Sequence, residues 1–296
     1  MSYIASNSFG AHHGTPQHGF FGFGAPTPTK IADAVVTDFL GGKLWTFTAK
    51  ALPIRVAVFC SRQVAASNAF DLLLFAHGLL TGCPRPKQLP SGFITDAPFN
   101  FGRIVDAAQR PLVLVVPLLD WGSPGGERAF GAAHRRWHAL ASPRILNAVL
   151  DEVLVEVRRV LGGVTRALRN LMIAGHSRAY DFLEPLANRR TDSQLRQGAL
   201  ARLSHVWAFD TTYGGEVGRW LDWLKIDPKL QVAFFYRLGT PTEAIGERFY
   251  TARGPRFAVS RVGETHCAVP GTRLPALLQS SAPRSTPLQG FHRTSM

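Results

Sequence analysis

The chain has 296 residues with 46% hydrophobic content and a mean hydropathy of +0.02, and it carries a formal net charge of +13. This size and composition describe a globular protein with a substantial core and exclude a chain that is disordered throughout. No apolar run approaches the ~20 residues that a membrane-spanning helix needs. The charge would suit an anionic partner, but the arginines are scattered and their densest clusters are only pairs. We therefore expect no nucleic-acid partner.

The two ends of the chain differ in composition from its centre. Residues 1–30 and 281–296 are rich in small and polar residues and follow neither a helical nor a strand period. They predict a flexible N-terminal arm and a flexible C-terminal tail around a single domain over residues 31–280. The first thirty residues lack the basic segment and the apolar core of a secretory signal, so we expect a cytoplasmic protein and leave non-classical export open. The oligomeric state is left open as well.

Short apolar segments rich in β-branched and aromatic residues recur along the domain. From the third onward they are almost continuously apolar, which is typical of strands buried on both faces of a parallel sheet. A helix is predicted from Pro143, with the proline in its first turn and the pair Gly162-Gly163 at its end. This alternation predicts an α/β fold, a mostly parallel twisted sheet of about eight strands with helices on both faces. The predicted strands begin at Lys43, Ile54, Asp71, Leu112, Leu171, His205, Leu230 and Arg256.

Open α/β sheets place their sites at the carboxyl ends of the strands, and Ser177 lies there, between the strand LMIAGH and a predicted helix. A tight strand-to-helix turn needs small residues two positions to either side, which Gly175 and Ala179 supply. Such a turn exposes the serine hydroxyl at the amino end of the helix, where negative charge is favoured. Pro185 predicts that this helix is short or kinked, because an interior proline costs ~3 kcal/mol.

The pentapeptide GHSRA at 175–179 resembles the G-x-S-x-G nucleophile elbow of the α/β-hydrolase superfamily, with Ala179 in place of the last glycine. The resemblance spans the chain from about Lys43 to about Leu278, and it is a resemblance of architecture and of the order of the motifs. It implies the α/β-hydrolase fold and a nucleophilic role for Ser177. We expect His176, next to the serine, to pack or bond locally.

A serine nucleophile needs a base and an acid, which this superfamily carries after it in the order acid, base. Asp210 ends the strand HVWAFD, and His266 follows the strand RFAVSRV. The resemblance therefore implies that Asp210 is the acid and His266 the base. Taken singly, Asp210 could instead cap a helix and His266 could bond to backbone. Glu243, in the loop after the next strand, is the alternative acid.

The sequence also indicates an oxyanion hole, which acyl transfer requires. His77-Gly78 follows the third predicted strand and looks like the HG motif of lipases and esterases. The resemblance then implies that the backbone N–H groups of Leu79 and Arg178 hold the oxyanion. A long, aromatic segment over residues 120–144 is predicted to be a cap or pocket-covering insertion.

Metal and disulfide signals are weak. Cys60, Cys83 and Cys267 are odd in number and form no CxxC pair, so we expect no disulfide and a reducing compartment. His134 and His138 have helical spacing, but HRRWH lacks the glutamate of a zinc-hydrolase motif. We therefore expect neither a metal nor another cofactor.

Together these features predict a serine hydrolase that cleaves a carboxylic ester, small or lipid-like, through an acyl-enzyme intermediate. Two alternatives remain at this point. One is an amidase or peptidase of the same fold, and the other is a non-catalytic binding protein on this scaffold with an anionic partner. The acyl chain length and the leaving group are left open.

Overall fold

The structure is a computed structural model that describes residues 35–79, 83, 84, 86, 90–119 and 135–281. The predicted N-terminal arm and nearly all of the predicted C-terminal tail lie outside these residues. Of the predicted insertion at 120–144, only residues 135–144 are described, and they include a helical segment at 135–140. The domain limits and the cap therefore stay predictions.

Within the described chain, nine strands form one sheet in the order β1-β2-β3-β5-β4-β6-β7-β8-β9. The pairs β1–β2, β2–β3 and β3–β5 are antiparallel, and the other five are parallel. The prediction of a mostly parallel sheet is confirmed, although the sheet is mixed at one edge. The strands are β1 (Thr37–Phe39), β2 (Gly42–Thr48), β3 (Arg55–Cys60), β4 (Ala69–Ala76), β5 (Leu112–Pro117), β6 (Ala167–His176), β7 (Leu203–Phe209), β8 (Gln231–Arg237) and β9 (Phe257–Val262).

Helices cover both faces of this sheet, as the sequence predicts. The helix that begins at Pro143 buries an apolar stripe that includes Leu146, Val149 and Val153. The helix that follows Ser177 has only nine residues, and Pro185 lies inside it, which agrees with the prediction of a short helix. The helices are α1 (Arg62–Ala65), α2 (Gly92–Thr95), α3 (Phe101–Ala107), α4 (Pro143–Val160), α5 (Tyr180–Asn188), α6 (Val217–Ile226), α7 (Glu243–Thr251) and α8 (Val269–Ser280).

The core consists of two apolar layers, one on each face of the sheet. Alternation along β4 assigns Leu72 and Leu74 to one layer and Leu73 and Phe75 to the other. Helices α4 to α7 pack into the first layer, and α3 and α8 pack into the second. Because both faces are covered, the central strands are buried along nearly their whole length.

The register of the parallel strands brings several chain segments together at the carboxyl ends of the strands. Ala76 of β4 lies opposite Gly175 of β6, and His176 lies opposite Phe209 of β7. Ser177 and Asp210 are the next residues after these paired positions, so they leave the sheet side by side. The backbone N–H of Asp210 also donates to the carbonyl of Phe235 at the end of β8, at 2.6 Å.

A buried ionic cluster lies near the amino ends of the central parallel strands, away from Ser177. Asp71, near the start of β4, has no exposed surface. Its carboxylate accepts hydrogen bonds from Arg110, from Arg169 at 2.8 and 2.9 Å, and from Asn170 at 2.9 Å. Burial by itself would raise the pKa of Asp71, but the hydrogen bonds and the positive charges of the arginines lower it below its usual value. This cluster joins β4, β6 and the segment before β5.

Candidate active site

Ser177 occupies a sharp turn between β6 and α5. Its φ is +55°, a left-handed conformation that non-glycine residues rarely adopt, and a single 3₁₀ turn leads from it into the helix. A Cβ placed on Gly175 would come within 2.8 Å of Leu183 Cδ1 and 3.1 Å of the Ala179 Cβ. A side chain at position 175 would therefore crowd the buried Leu183 and Ala179 side chains, so the turn favours small residues at both 175 and 179.

Asp210 and His266 form a close pair beside this turn. The Oδ2 atom of Asp210 lies 2.6 Å from Nδ1 of His266, and its Oδ1 atom accepts a hydrogen bond of 2.6 Å from the Thr242 hydroxyl. Asp210 is only 1% exposed and has a φ of +48°. Burial would raise the pKa of this carboxyl, but the hydrogen bonds from His266 and Thr242 outweigh it and lower the pKa below its usual value. The carboxylate is therefore held ionised in a buried position.

His176 links the serine turn to the loop that carries His266. Its Nε2 atom lies 2.9 Å from the backbone carbonyl of His266, and because a carbonyl only accepts, Nε2 carries the proton. The two imidazole rings lie 4.5 Å apart between centroids. Burial lowers the pKa of His176 to about 3, so its ring is neutral at physiological pH. This local bonding agrees with the expectation for His176.

A tyrosine that the sequence did not single out contacts the serine. The Ser177 side chain lies near enough to the Tyr213 hydroxyl to lower the pKa of that hydroxyl, against the larger effect of burial. Tyr213 lies three residues after Asp210, is 40% exposed, and has its pKa raised by burial, so its hydroxyl is protonated. The side of the site near Tyr213 is therefore both aromatic and able to donate a hydrogen bond.

The segment after β4 passes directly against the serine. A Cβ on Gly78 would lie 2.5 Å from the Ser177 Cβ, so only glycine fits there. His77 is buried, with Nδ1 2.6 Å from the Gly78 carbonyl and Nε2 accepting from the Leu119 N–H at 3.0 Å. One nitrogen donates and the other accepts, so the ring is neutral. The Gly78 carbonyl and the Leu79 N–H belong to one peptide plane and point in opposite directions, so His77 also orients the Leu79 N–H.

Comparison with known proteins bears on the fold. No protein-family model and no curated protein sequence matches the chain. Among solved structures, a ferulic acid esterase superposes with a TM-score of 0.50 at 12% sequence identity, over 84% of this chain and 96% of that one. The chain has the α/β-hydrolase fold.

Other solved structures with this fold superpose less closely. A cold-adapted esterase from an Arctic intertidal metagenomic library has a TM-score of 0.49 at 15% identity, over 83% of this chain and 96% of that one. An S-formylglutathione hydrolase from Agrobacterium tumefaciens has a TM-score of 0.46 at 12% identity, over 83% and 94%. At such identities the likeness concerns the α/β-hydrolase fold alone. In the described part of the chain, no helix is both long and apolar enough to cross a membrane.

The expectation that the chain has no disulfide is wrong. Cys83 and Cys267 are bonded to each other across a sequence separation of 184 residues, and Cys60 remains a buried free thiol. An odd count of cysteines does not exclude one pair, and only the fold brings these two loops together. Cys267 directly follows His266, so the disulfide lies in the site itself.

A cleft beside the serine is lined mainly by apolar and aromatic groups. The ring of Phe93 stacks on His77 at 4.8 Å and lies 4.8 Å from Phe99. The disulfide forms part of the wall through Cys83. The described lining residues are Gly78, Leu79, Cys83, Pro84, Phe93, Phe99 and His176.

The structure gives the two candidate acids different surroundings. Asp210 is hydrogen-bonded to His266, whereas Glu243 begins α7 and accepts a 2.7 Å hydrogen bond from the Gly239 N–H in an exposed position. That position of Glu243 is the ordinary one of an acidic residue in the first turn of a helix.

Three possible metal ligands do meet in the described chain. Donor atoms of Cys83, His176 and His266 lie within 4.8 Å of one another. The sulfur of Cys83 is bonded to Cys267, however, and is no thiolate ligand in this state. Of the histidine pair considered from the sequence, His134 lies outside the described residues.

Thr242, Tyr213 and the disulfide were missed from the sequence. Thr242 lies in a loop directly before α7, and its Oγ1 is also 2.8 Å from the Thr240 hydroxyl. Threonines in loops are common, and no spacing distinguishes this one. The useful signal would have been the run TPTE at residues 240–243. It follows β8, and because β8 pairs with β7, the end of β8 must lie near Asp210.

Proposed function

We propose that this protein is a serine hydrolase that cleaves carboxylic esters through an acyl-enzyme intermediate. The observation that carries the proposal is the contact of the buried Asp210 with the half-buried His266, 2.6 Å apart, beside a serine in a left-handed strand-to-helix turn. The ferulic acid esterase that shares the fold is consistent with this chemistry.

His266 acts as the general base. Because Nδ1 faces the Asp210 carboxylate, it carries the proton, and Nε2 of the neutral ring has a free lone pair. Nε2 removes the proton of Ser177 as its hydroxyl attacks the ester carbonyl. The imidazolium that forms is stabilised by Asp210, which the Thr242 hydroxyl holds from its other oxygen.

The backbone N–H groups of Leu79 and Arg178 stabilise the oxyanion of the tetrahedral intermediate. Arg178 directly follows the nucleophile at the start of the helical turn, where the peptide dipoles favour negative charge. The Leu79 N–H is aimed through its peptide plane, which His77 holds by the Gly78 carbonyl. Such preorganised donors need no reorientation during the reaction.

The rest of the cycle uses the same groups. The imidazolium of His266 protonates the departing alcohol, and the acyl group stays on Ser177. Water then attacks the acyl-enzyme, with His266 again as the base, and the carboxylic acid is released. No step requires a cofactor.

The substrate class that we propose is a small or lipid-like ester of a carboxylic acid. The described walls of the cleft include the rings of Phe93 and Phe99, but both rings are almost fully buried and leave little surface for an acyl group. The acyl chain length is therefore a quantity for the ester panel to measure.

A fluorophosphonate probe tests the nucleophile. We expect the wild-type protein to be labelled and to hydrolyse p-nitrophenyl esters of graded chain length, and Ser177→Ala to lose both. The exposed Ser193→Ala is the matched control and should retain both. A folded wild-type protein that neither reacts with the probe nor turns over any ester would overturn the proposal, and so would undiminished labelling of Ser177→Ala. Faster cleavage of a parallel amide panel would reassign the substrate class.

A further inference from the structure

The Cys83–Cys267 disulfide joins the two loops on which the proposed chemistry depends. Cys267 is the residue after His266, and Cys83 is four residues beyond Leu79. A sulfur of this bond lies within 4.8 Å of ring nitrogens of both His176 and His266. The disulfide therefore lies close to the imidazole ring of His266.

The loop that carries His266 has several noncovalent contacts besides the disulfide. It runs from the end of β9 at Val262 to the start of α8 at Val269, and its residues are half-buried or exposed. The His266 carbonyl contacts the His176 ring, the His266 ring bonds to Asp210, and Glu264 pairs with Arg273 of α8. The disulfide is the covalent link from this loop to the segment after β4.

We propose that the Cys83–Cys267 disulfide is a positioning element that keeps His266 close to the segment after β4 that carries Gly78 and Leu79, and that its reduction by a thiol compound lowers turnover. The inference rests on the proposed function. Attack requires the imidazole and the Leu79 N–H to face one reacting carbon, and a misplacement of about 1 Å can cost on the order of 100-fold in rate. A cross-link between the two loops removes the conformations in which they move apart.

The reduction is a two-electron thiol exchange. Two thiol groups of a small dithiol donate two electrons and two protons, so that Cys83 and Cys267 become thiols and the dithiol becomes a cyclic disulfide. Both cysteines are half-buried and within reach of a small reagent. Cys60 is 1% exposed, and burial raises the pKa of its thiol far above the usual value, so it does not compete.

Dithiothreitol treatment of the full chain tests the proposal. We expect kcat for a p-nitrophenyl ester to fall roughly 10- to 100-fold with KM changed by less than about threefold. Reoxidation should restore the wild-type protein. Cys83→Ala/Cys267→Ala should show the lower kcat with or without the reductant, and Cys60→Ala should behave as the wild type. Thiol alkylation followed by mass measurement verifies which cysteines are reduced. Full kcat in a protein with both thiols alkylated would overturn the proposal.

A second measurement separates this proposal from the proposed function. The ring N–H of His266 that faces Asp210 should give a distinct proton resonance in the oxidised protein and should shift or broaden on reduction. This holds whether or not an ester is turned over, so an inactive protein still tests the positioning role. An unchanged resonance would overturn it. Loss of the circular dichroism signal on reduction would also overturn it, because the disulfide would then hold the whole fold.

Discussion

Two buried aspartates lie near opposite ends of the parallel strands, and their hydrogen-bond partners suit one to a structural role and the other to proton transfer. Asp71 and Asp210 are both almost without exposed surface, and both have a pKa below the usual value. Asp71 is held by direct hydrogen bonds from Arg110, Arg169 and Asn170. Asp210 bonds directly to a histidine and a threonine, and its one arginine neighbour, Arg237, stays 3.9 Å away. A guanidinium only donates and keeps its proton in proteins, so the Asp71 cluster serves as a structural link. An imidazole can both donate and accept a proton, which makes the second pair suited to proton transfer.

The largest expected effect is that of Asp210→Asn on turnover. The asparagine amide would donate toward His266, so the ring would carry its proton on the other nitrogen and could not accept the serine proton. We expect kcat to fall by about 10³–10⁴-fold, with the free energy of unfolding lowered by only about 1–2 kcal/mol because the amide oxygen can still accept from the Thr242 hydroxyl. Ester hydrolysis and urea unfolding measure the two quantities. Retention of more than a tenth of the wild-type kcat would contradict the role of Asp210.

The same substitution at the other aspartate, Asp71→Asn, should have the opposite profile. It leaves the buried Arg110 without its carboxylate, although Arg110 still donates to the Leu278 carbonyl at 2.7 Å. We expect the free energy of unfolding to fall by about 3 kcal/mol while kcat per folded molecule changes less than twofold. Urea unfolding with active-site titration measures both. If Asp71→Asn slowed turnover as much as Asp210→Asn, the assignment of a purely structural role to Asp71 would be wrong.

A third buried carboxyl, Glu184 on α5, sharpens the comparison because it forms no ion pair within the described residues. One oxygen accepts from the Trp220 indole at 2.9 Å, and the other has no partner in the described chain. Burial raises the pKa of Glu184 to about 7. The folded state therefore keeps this proton at a pH where the unfolded state has lost it, so stability is full below about pH 4.5 and declines as pH rises through about 7.

The measurement is urea unfolding of the wild type and of Glu184→Gln at pH 5 and pH 8. From the raised pKa, we expect the wild type to lose roughly 2–3 kcal/mol more than Glu184→Gln between these two values. The exposed Asp38→Asn is the control and should keep the wild-type slope. Equal slopes in the wild type and Glu184→Gln would show that Glu184 is ionised throughout.

The smallest expected effect is that of Thr242→Val, which removes one hydrogen bond to Asp210 at nearly constant volume. A hydrogen bond to a charged group contributes about 1.5–3 kcal/mol, and we expect roughly a tenfold decrease in kcat. The pKa of Asp210 should rise, so activity should be lost at a higher pH on the acid side. A pH profile of kcat/KM measures the shift. Thr251→Val, on the exposed end of α7, is the control, and an identical profile for both variants would remove Thr242 from the site.

The parts of this fold that were predictable are those with a local signal. Eight of the strands follow apolar runs in the sequence, and the turn at Ser177 follows from Gly175 and Ala179. The three-residue strand β1 was missed because Thr37 and Asp38 are exposed and show no alternation. The pairing of Asp210 with His266 was predictable only as an order of residues along the chain.

The remaining features depend on contacts between distant segments. Gly78 must be glycine because Ser177 lies against it, a clash that exists only once β4 and β6 are neighbours. Cys83 and Cys267 meet only because both loops leave the same edge of the sheet. Thr242 reaches Asp210 because β8 is paired next to β7. The spacing of residues in a single sequence does not predict such contacts between distant segments.

Two of the five non-glycine residues with left-handed backbones in the described chain, Ser177 and Asp210, also mark where evolution of this protein is constrained. Each conformation costs roughly 1–2 kcal/mol for a residue with a Cβ, and glycine would relieve it. Asp210 offsets this cost through its hydrogen bonds to His266 and Thr242, so selection for heat resistance alone would favour glycine at position 177 first. A laboratory screen that scores only melting temperature would enrich proteins that have discarded that hydroxyl.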